Sequence, residues 1–102
     1  MEEKIRISML LQIYGKLLTK KQNEFMEYYY NEDLSLSEIA ENQSITRQAV
    51  REILSKSKIK LEEYEEKVEL LKKIQEINSL LDKLEEKSNL KEIQKIRKIL
   101  ND

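Results

Sequence analysis

Apolar residues recur at helical spacing through almost the whole chain. Ile5, Met9, Leu10, Ile13, Tyr14, Leu17 and Leu18 stand three and four apart, which predicts a helix over residues 3–17. Gly15 either admits a close neighbour or loosens the helix end. Thr19 followed by Gln22 is a capping-box pattern that opens a second helix. That helix runs to about Tyr30 and is expected to bury Phe25, Met26 and Tyr29, with Tyr28 at the margin. The "NED" at 31–33 is a loop of turn-forming residues.

The spacing continues past that loop. Ser35 with Glu38 forms a second capping box, and Leu36, Ile39 and Ala40 face inward on a helix of about two turns. It stops between Asn42 and Ser44. Thr46 then caps a fourth helix whose inner face is Ala49, Val50, Ile53 and Leu54. Nothing after Leu54 ends a helix, so it is expected to run toward Lys87. Leu61, Tyr64, Val68 and Leu71 form one seam. Leu70, Ile74, Ile77, Leu81 and Leu84, at spacings of 4, 3, 4 and 3, form a second, coiled-coil-like seam. The two seams are out of phase, which allows a break between 67 and 70. Asn89 with Glu92 predicts a last helix carrying Leu90, Ile93, Ile96, Ile99 and Leu100.

Composition agrees with an all-α fold. The 102 residues include no Pro, one Gly and 38% charged residues, so long helices meet few interruptions. The length suits a helical domain over 1–60 and a helical extension over 61–102 for oligomerisation or partner binding. The chain has no Cys and no His. Disulfides, zinc fingers, thiol nucleophiles and imidazole bases are therefore excluded. No cofactor is expected, and the absence of a phosphate-cradling Gly-rich loop leaves nucleotide hydrolysis without support. No apolar run reaches the roughly 20 residues of a membrane span. The acidic start "MEEKIRISMLLQIYG" does not resemble a signal peptide, so a cytoplasmic location without membrane contact is expected.

Net charge is −1, yet residues 46–60 carry Arg47, Arg51, Lys56, Lys58 and Lys60 against Glu52 alone, a local +4. Such clustering on one helix is the electrostatic footprint of a nucleic-acid reader. The stretch from Leu36 also has helix-turn-helix spacing. With Leu36 as the first position, Ala40 is fifth, Ser44 ninth, Ile45 tenth, Val50 fifteenth and Ile53 eighteenth. Those positions require a small crossing residue, a turn former and apolar packing. Ser44 stands where Gly is usual, and Gln43 where a buried Leu is expected. Periodicity sends Arg47, Gln48, Arg51, Ser55 and Lys58 outward. Arg can pair with guanine edges or phosphate and Gln with adenine. The amides capped by Thr46 can meet a phosphate, and Lys56 and Lys60 suit backbone contacts. The competing reading is two helices of an ordinary bundle with solvated charges.

The segments "YGKLLTKKQ", "EYYYNEDLSLSEIAE", "ITRQAV" and "LEEYEEK", in that order, resemble the YlxM family of small bacterial helix-turn-helix proteins, over about residues 6–70. That family is similar to the fourth region of sigma factors. The resemblance implies an all-α, sigma-factor-region-4-like helix-turn-helix bundle with a long C-terminal helix extension. It implies a regulatory, non-enzymatic role beside the signal recognition particle pathway of protein targeting. It carries the start of the recognition helix onto Thr46, Arg47, Gln48 and Arg51. The sequence departs from relatives at Gln43 and Ser44, where Leu-Gly is usual, and at Arg51 and Glu52, where His-Asp is usual.

Two function classes follow. One is a DNA-binding regulator that uses Thr46, Arg47, Gln48, Arg51, Ser55, Lys56 and Lys58. The other is an adaptor that binds signal recognition particle RNA or a targeting-pathway protein without sequence-specific DNA binding. Tyr28, Tyr29 and Tyr30 offer rings for base stacking, although such runs usually serve a core. The acid pairs Glu62 with Glu66 and Glu65 with Glu69 are read as a solvated face rather than a metal site. The seam Leu70, Ile74, Ile77, Leu81 and Leu84 is expected either to close a hairpin with residues 90–100 or to join a homodimer.

Overall fold

The computed structural model describes residues 2–86 and 90–101. Among these, every regular element is a helix: α1 (Glu3–Tyr14), α2 (Lys20–Met26), α3 (Leu36–Gln43), α4 (Arg47–Val68), α5 (Leu70–Glu85) and α6 (Leu90–Asn101). The chain forms two compact units, Met1–Val68 and Glu69–Asp102. The division falls eight residues beyond the 60/61 boundary expected from sequence, because α4 continues to Val68 as part of the first unit's core.

In the first unit, α4 packs against α1, α2 and α3. Its buried line is Val50, Leu54, Ser57, Leu61 and Glu65, spaced by three and four as a helix face requires. Opposite it lie Ile7, Leu10, Leu11 and Tyr14 of α1, with Leu18, Phe25, Met26, Ile39 and Ala40. The face of α1 differs from the expected stripe. Ile5, Met9 and Leu17 are exposed, while Ile7 and Leu11 take their place. The helix is apolar over a wide arc, and contact with α4 selects which part is buried. Gly15 is buried in a 3₁₀ turn, where an added Cβ would lie 3.3 Å from both Asn23 Oδ1 and Leu11 Cδ1. Close approach, not loosening, is its role.

Both predicted capping boxes form. Thr19 and Gln22 exchange side-chain and backbone bonds of 3.1 Å, and Ser35 and Glu38 do the same at 3.0 and 3.1 Å. The second helix ends earlier than its expected limit at Tyr30: α2 stops at Met26 and passes into a π-helical turn, Glu27–Asn31. That widened turn leaves Tyr28, Tyr29 and Tyr30 all half-buried, so Tyr29 is not the core residue expected.

α1 and α4 run side by side in the same direction. Arg6 grips Glu62 through Nε and Nη2 at 2.9–3.3 Å, and the Tyr14 hydroxyl donates to Glu65 Oε1 at 2.7 Å. The Tyr14 and Tyr64 rings lie 5.9 Å apart. Glu62 and Glu65 thus tie two helices together, contrary to the solvated face expected of them; their i+4 neighbours Glu66 and Glu69 are exposed. Ser57, which the sequence reading passed over, is fully buried and bonds back to the Ile53 carbonyl at 2.6 Å.

The long helix breaks at Glu69, whose backbone is left-handed at φ 55°, ψ 30°, where the two seams change phase. In the second unit α5 and α6 pair as a hairpin. Leu71, Leu81 and Ile93 are buried, with Ile74 and Leu100 half-buried. Arg97 fixes the pairing by donating to Asn78 (3.0 Å), Asp82 (2.5 Å) and Glu85 (2.8 Å). The expected seam is therefore divided: Leu81 is buried and Ile74 half-buried, whereas Leu70, Ile77 and Leu84 are exposed. Asn89 of the third cap pattern, and Lys87 as a helix limit, lie outside the described residues. No helix of the described residues is long and apolar enough to cross a membrane.

Candidate nucleic-acid interface

Residues 35–58 build the helix-turn-helix from local rules. Ser35 starts α3, and Ile39 and Ala40 press it onto α4. The reversal after α3 is made by two bonds. The Ile45 amide donates to the Ala40 carbonyl at 3.0 Å, and the Ser44 amide to Glu41 at 3.2 Å. That pair is a Schellman turn, which requires a left-handed residue at its corner. Ser44 supplies it at φ 56°, ψ 42°. The turn is thus the one the spacing requires, made with a serine where glycine would be unstrained. Gln43, in place of the expected buried Leu, is exposed.

Thr46 opens α4. Its hydroxyl oxygen accepts from the Ala49 amide at 3.0 Å, and its carbonyl from Val50 at 3.1 Å. Val50 and Leu54 are buried, and Ala49 and Ile53 half-buried, so the inner face is the expected one. Thr46, Arg47, Gln48, Arg51, Ser55 and Lys56 are exposed. No acidic residue stands in the first turn of α4, so its positive helix end is not neutralised locally. The outer side of α4 presents two guanidinium groups and an amide within two turns.

Lys58 differs from the other predicted contacts. It is half-buried and forms an ion pair with Glu3 of α1. Hydrogen bonding to that carboxylate raises the Lys58 ammonium above its ordinary value, against a smaller opposing effect of burial. Glu3 lies 55 residues away in sequence, and no local pattern marks it as a partner.

Tyr29 and Tyr30 come to the same side. Their rings meet edge-on at 5.0 Å, and with Leu36, Arg51, Leu54, Ser55 and Lys58 they line a shallow groove of about 230 Å³. Burial pushes the Tyr30 hydroxyl above its ordinary value, with Lys58 acting the other way. The Tyr30 phenol is therefore a hydrogen-bond donor at neutral pH beside the exposed face of α4. Tyr28 turns elsewhere, its ring 6.3 Å from that of Phe25. A second clamp, Lys4 with Asp33, holds the loop before α3 to α1.

A family profile described as "Putative helix-turn-helix protein, YlxM / p13 like" matches residues 1–100. A UPF0122 protein of Clostridium kluyveri is 45% identical over 104 aligned positions, covering 95% of this chain and 94% of the relative. The UPF0122 protein YlxM of Bacillus subtilis is 44% identical, covering 84% of this chain and 78% of its own length. A UPF0122 protein of Clostridium perfringens is also 44% identical, with 90% and 86% covered.

Proposed function

The chain belongs to the YlxM/p13-like helix-turn-helix family, and from that premise we propose that it is a non-enzymatic regulator that binds duplex DNA through the first turns of α4. The observation that carries this reading is the exposed set Arg47, Gln48 and Arg51 on a capped helix start, set at a fixed angle by the Schellman turn at Ser44. A major groove admits one α-helix. Arg47, Gln48 and Arg51 reach base edges or phosphate there, and Thr46, Ser55 and Lys56 serve backbone oxygens. Lys58 is paired with Glu3 and so offers less positive charge to a phosphate than a free cation would. The resemblance of the sequence to a family similar to the fourth region of sigma factors supports this reading.

The net charge of −1 favours a second reading, because backbone neutralisation dominates affinity for DNA. In it the same fold is an adaptor in the signal recognition particle pathway, touching the particle's RNA or a targeting protein. The deep, narrow major groove of A-form RNA does not admit a helix, so such contacts are to phosphates and carry little sequence preference.

One experiment separates the two. Purified protein is incubated with fragmented cellular DNA and total RNA, retained nucleic acid is sequenced, and affinity is measured over a range of salt. DNA reading predicts a short enriched motif. Arg47→Ala/Arg51→Ala, with helicity unchanged by circular dichroism, then weakens binding to it by roughly 10- to 100-fold, the scale of lost bidentate contacts. Enrichment of the particle's RNA with steep salt dependence and no motif establishes the adaptor. Unchanged affinity of the double variant for every nucleic acid retained removes this face from consideration.

A further inference from the structure

The basic face of α4 ends on an acid supplied by α1. Arg47, Arg51, Ser55 and Lys58, at spacings of 4, 4 and 3, share one side of α4. The first three are exposed, whereas Lys58 is paired with Glu3. That pair is not what joins the two helices. Arg6 with Glu62 and Tyr14 with Glu65 already bind α1 to α4 further along. The Glu3 and Lys58 side chains are 64% and 40% exposed, and an ion pair so open to water contributes little to stability. Glu62, one turn beyond Lys58, is held by Arg6, so Glu3 is the carboxylate hydrogen-bonded to Lys58.

We propose that the Glu3 carboxylate holds the place of a backbone phosphate: on binding duplex DNA, Lys58 exchanges Glu3 for a phosphodiester, and Glu3 is thus an internal competitor that lowers affinity. The inference rests on the reading of α4 as the DNA contact. Position supports it first. In a helix-turn-helix the start of the second helix meets the base edges. With Arg47 and Gln48 there, Lys58 stands about 16 Å farther along α4. That exceeds the roughly 12 Å width and 8.5 Å depth of a major groove, so Lys58 lies at the strand backbone. Arg51, Ser55 and Tyr30 line the same shallow groove as Lys58, which gives an incoming phosphate further donors. Charge decides the exchange. Two anions on one ammonium repel each other, so one must leave. The carboxylate is a single exposed charge, whereas duplex DNA carries one charge per roughly 1.7 Å and gains by releasing its counterions. Glu3 also leaves at low cost. It stands in the first turn of α1, where the helix dipole favours a negative charge without Lys58.

The test uses the full chain and a fluorescent duplex DNA of mixed sequence, because a backbone contact does not depend on sequence. Affinity is read by anisotropy over a range of salt for the wild type, Glu3→Gln, Lys58→Gln and the double variant, with helicity and urea midpoint checked for each. Glu3→Gln is expected to bind about 2- to 5-fold more tightly, the scale of an exposed ion pair. Lys58→Gln is expected to weaken binding and to reduce the slope of log affinity against log salt by about 0.9, one phosphate contact. Lys58→Arg keeps that slope. The gain from Glu3→Gln is expected to shrink in the Lys58→Gln background, where there is no longer an ammonium to compete for. An equal gain in both backgrounds means that Glu3 acts only through its distant charge, and overturns the proposal. Binding that needs Arg47 and Arg51 but is indifferent to Glu3 and Lys58 overturns this inference alone. A wild-type chain that binds no DNA at low salt overturns both this inference and the reading of α4 on which it rests.

Discussion

Replacing Ser44 with glycine tests the corner on which the helix-turn-helix depends. Ser44 sits at φ 56°, ψ 42° with its amide bonded into the end of α3. An L-residue in that region costs about 1–2 kcal/mol from the approach of Cβ to the following carbonyl oxygen. Glycine removes this cost. It also adds freedom to the unfolded chain, which offsets about 0.4–1 kcal/mol. The net expectation for Ser44→Gly is a gain of about 0.5–1 kcal/mol. For a unit of this size that raises the unfolding midpoint by about 3–6 °C. Ser44→Val keeps the left-handed cost and adds a β-branched side chain, so it is expected to lose about 1 kcal/mol or more. The assay is urea unfolding followed by circular dichroism, with stability read from the midpoint at constant slope. The Ser44 side chain is exposed and outside the proposed contact set, so Ser44→Gly leaves nucleic-acid affinity unchanged. If glycine destabilises the protein, or valine matches serine, the corner is not left-handed in solution. The angle between α3 and α4 would then rest on something other than this turn.

Two further outcomes concern the α1–α4 junction and the start of α3. Tyr14→Phe removes the donor to Glu65, a carboxylate that is only 7% exposed; it is expected to cost about 1.5–3 kcal/mol in chemical denaturation, and Glu65→Gln combined with it should cost less than the two single changes together. Bonds from the Ser35 backbone, and secondarily its side chain, hold the Glu38 carboxyl below its ordinary value of 4.5. A carboxyl whose value is lowered on folding contributes stability that is complete above its unfolded value and is lost as pH falls through the lower folded value. Stability measured from pH 6 downward should therefore decline below about 4.5, and Glu38→Gln should lessen that decline; an identical pH profile in the variant would count against the capping box.

Most of the helix boundaries near the interface were legible in the sequence because they depend on neighbours in the chain. The Thr19/Gln22 and Ser35/Glu38 boxes, the Thr46 cap and the corner at Ser44 each satisfy backbone groups within a few residues. The outward placement of Arg47, Gln48 and Arg51 follows from the same periodicity that buries Val50 and Leu54. Less legible was the π-helical turn at Glu27–Asn31. Its three tyrosines resemble a continuing helix, and only packing against the rest of the unit widens the turn and leaves all three half-buried.

The sequence by itself therefore determined the all-α class, the order of the helices, the reversal between α3 and α4 and the basic face of α4. These follow from hydrogen bonding and side-chain spacing over one or two turns. Tertiary structure alone decided that Ile7 and Leu11 rather than Ile5 and Met9 enter the core. It also paired Lys58 with Glu3 and turned Glu62 and Glu65 toward Arg6 and Tyr14. It fixed at Glu69 the break that the change of seam phase allowed between 67 and 70, and it divided the apolar positions of α5 between a covered and an exposed face. The reason is common to all of them. Where a helix is apolar over an arc wider than one neighbour can cover, or carries charges on every side, spacing permits several pairings. The shape and charge of another helix then select one, 51 to 56 residues away for α1 with α4 and 12 to 19 residues away for α5 with α6.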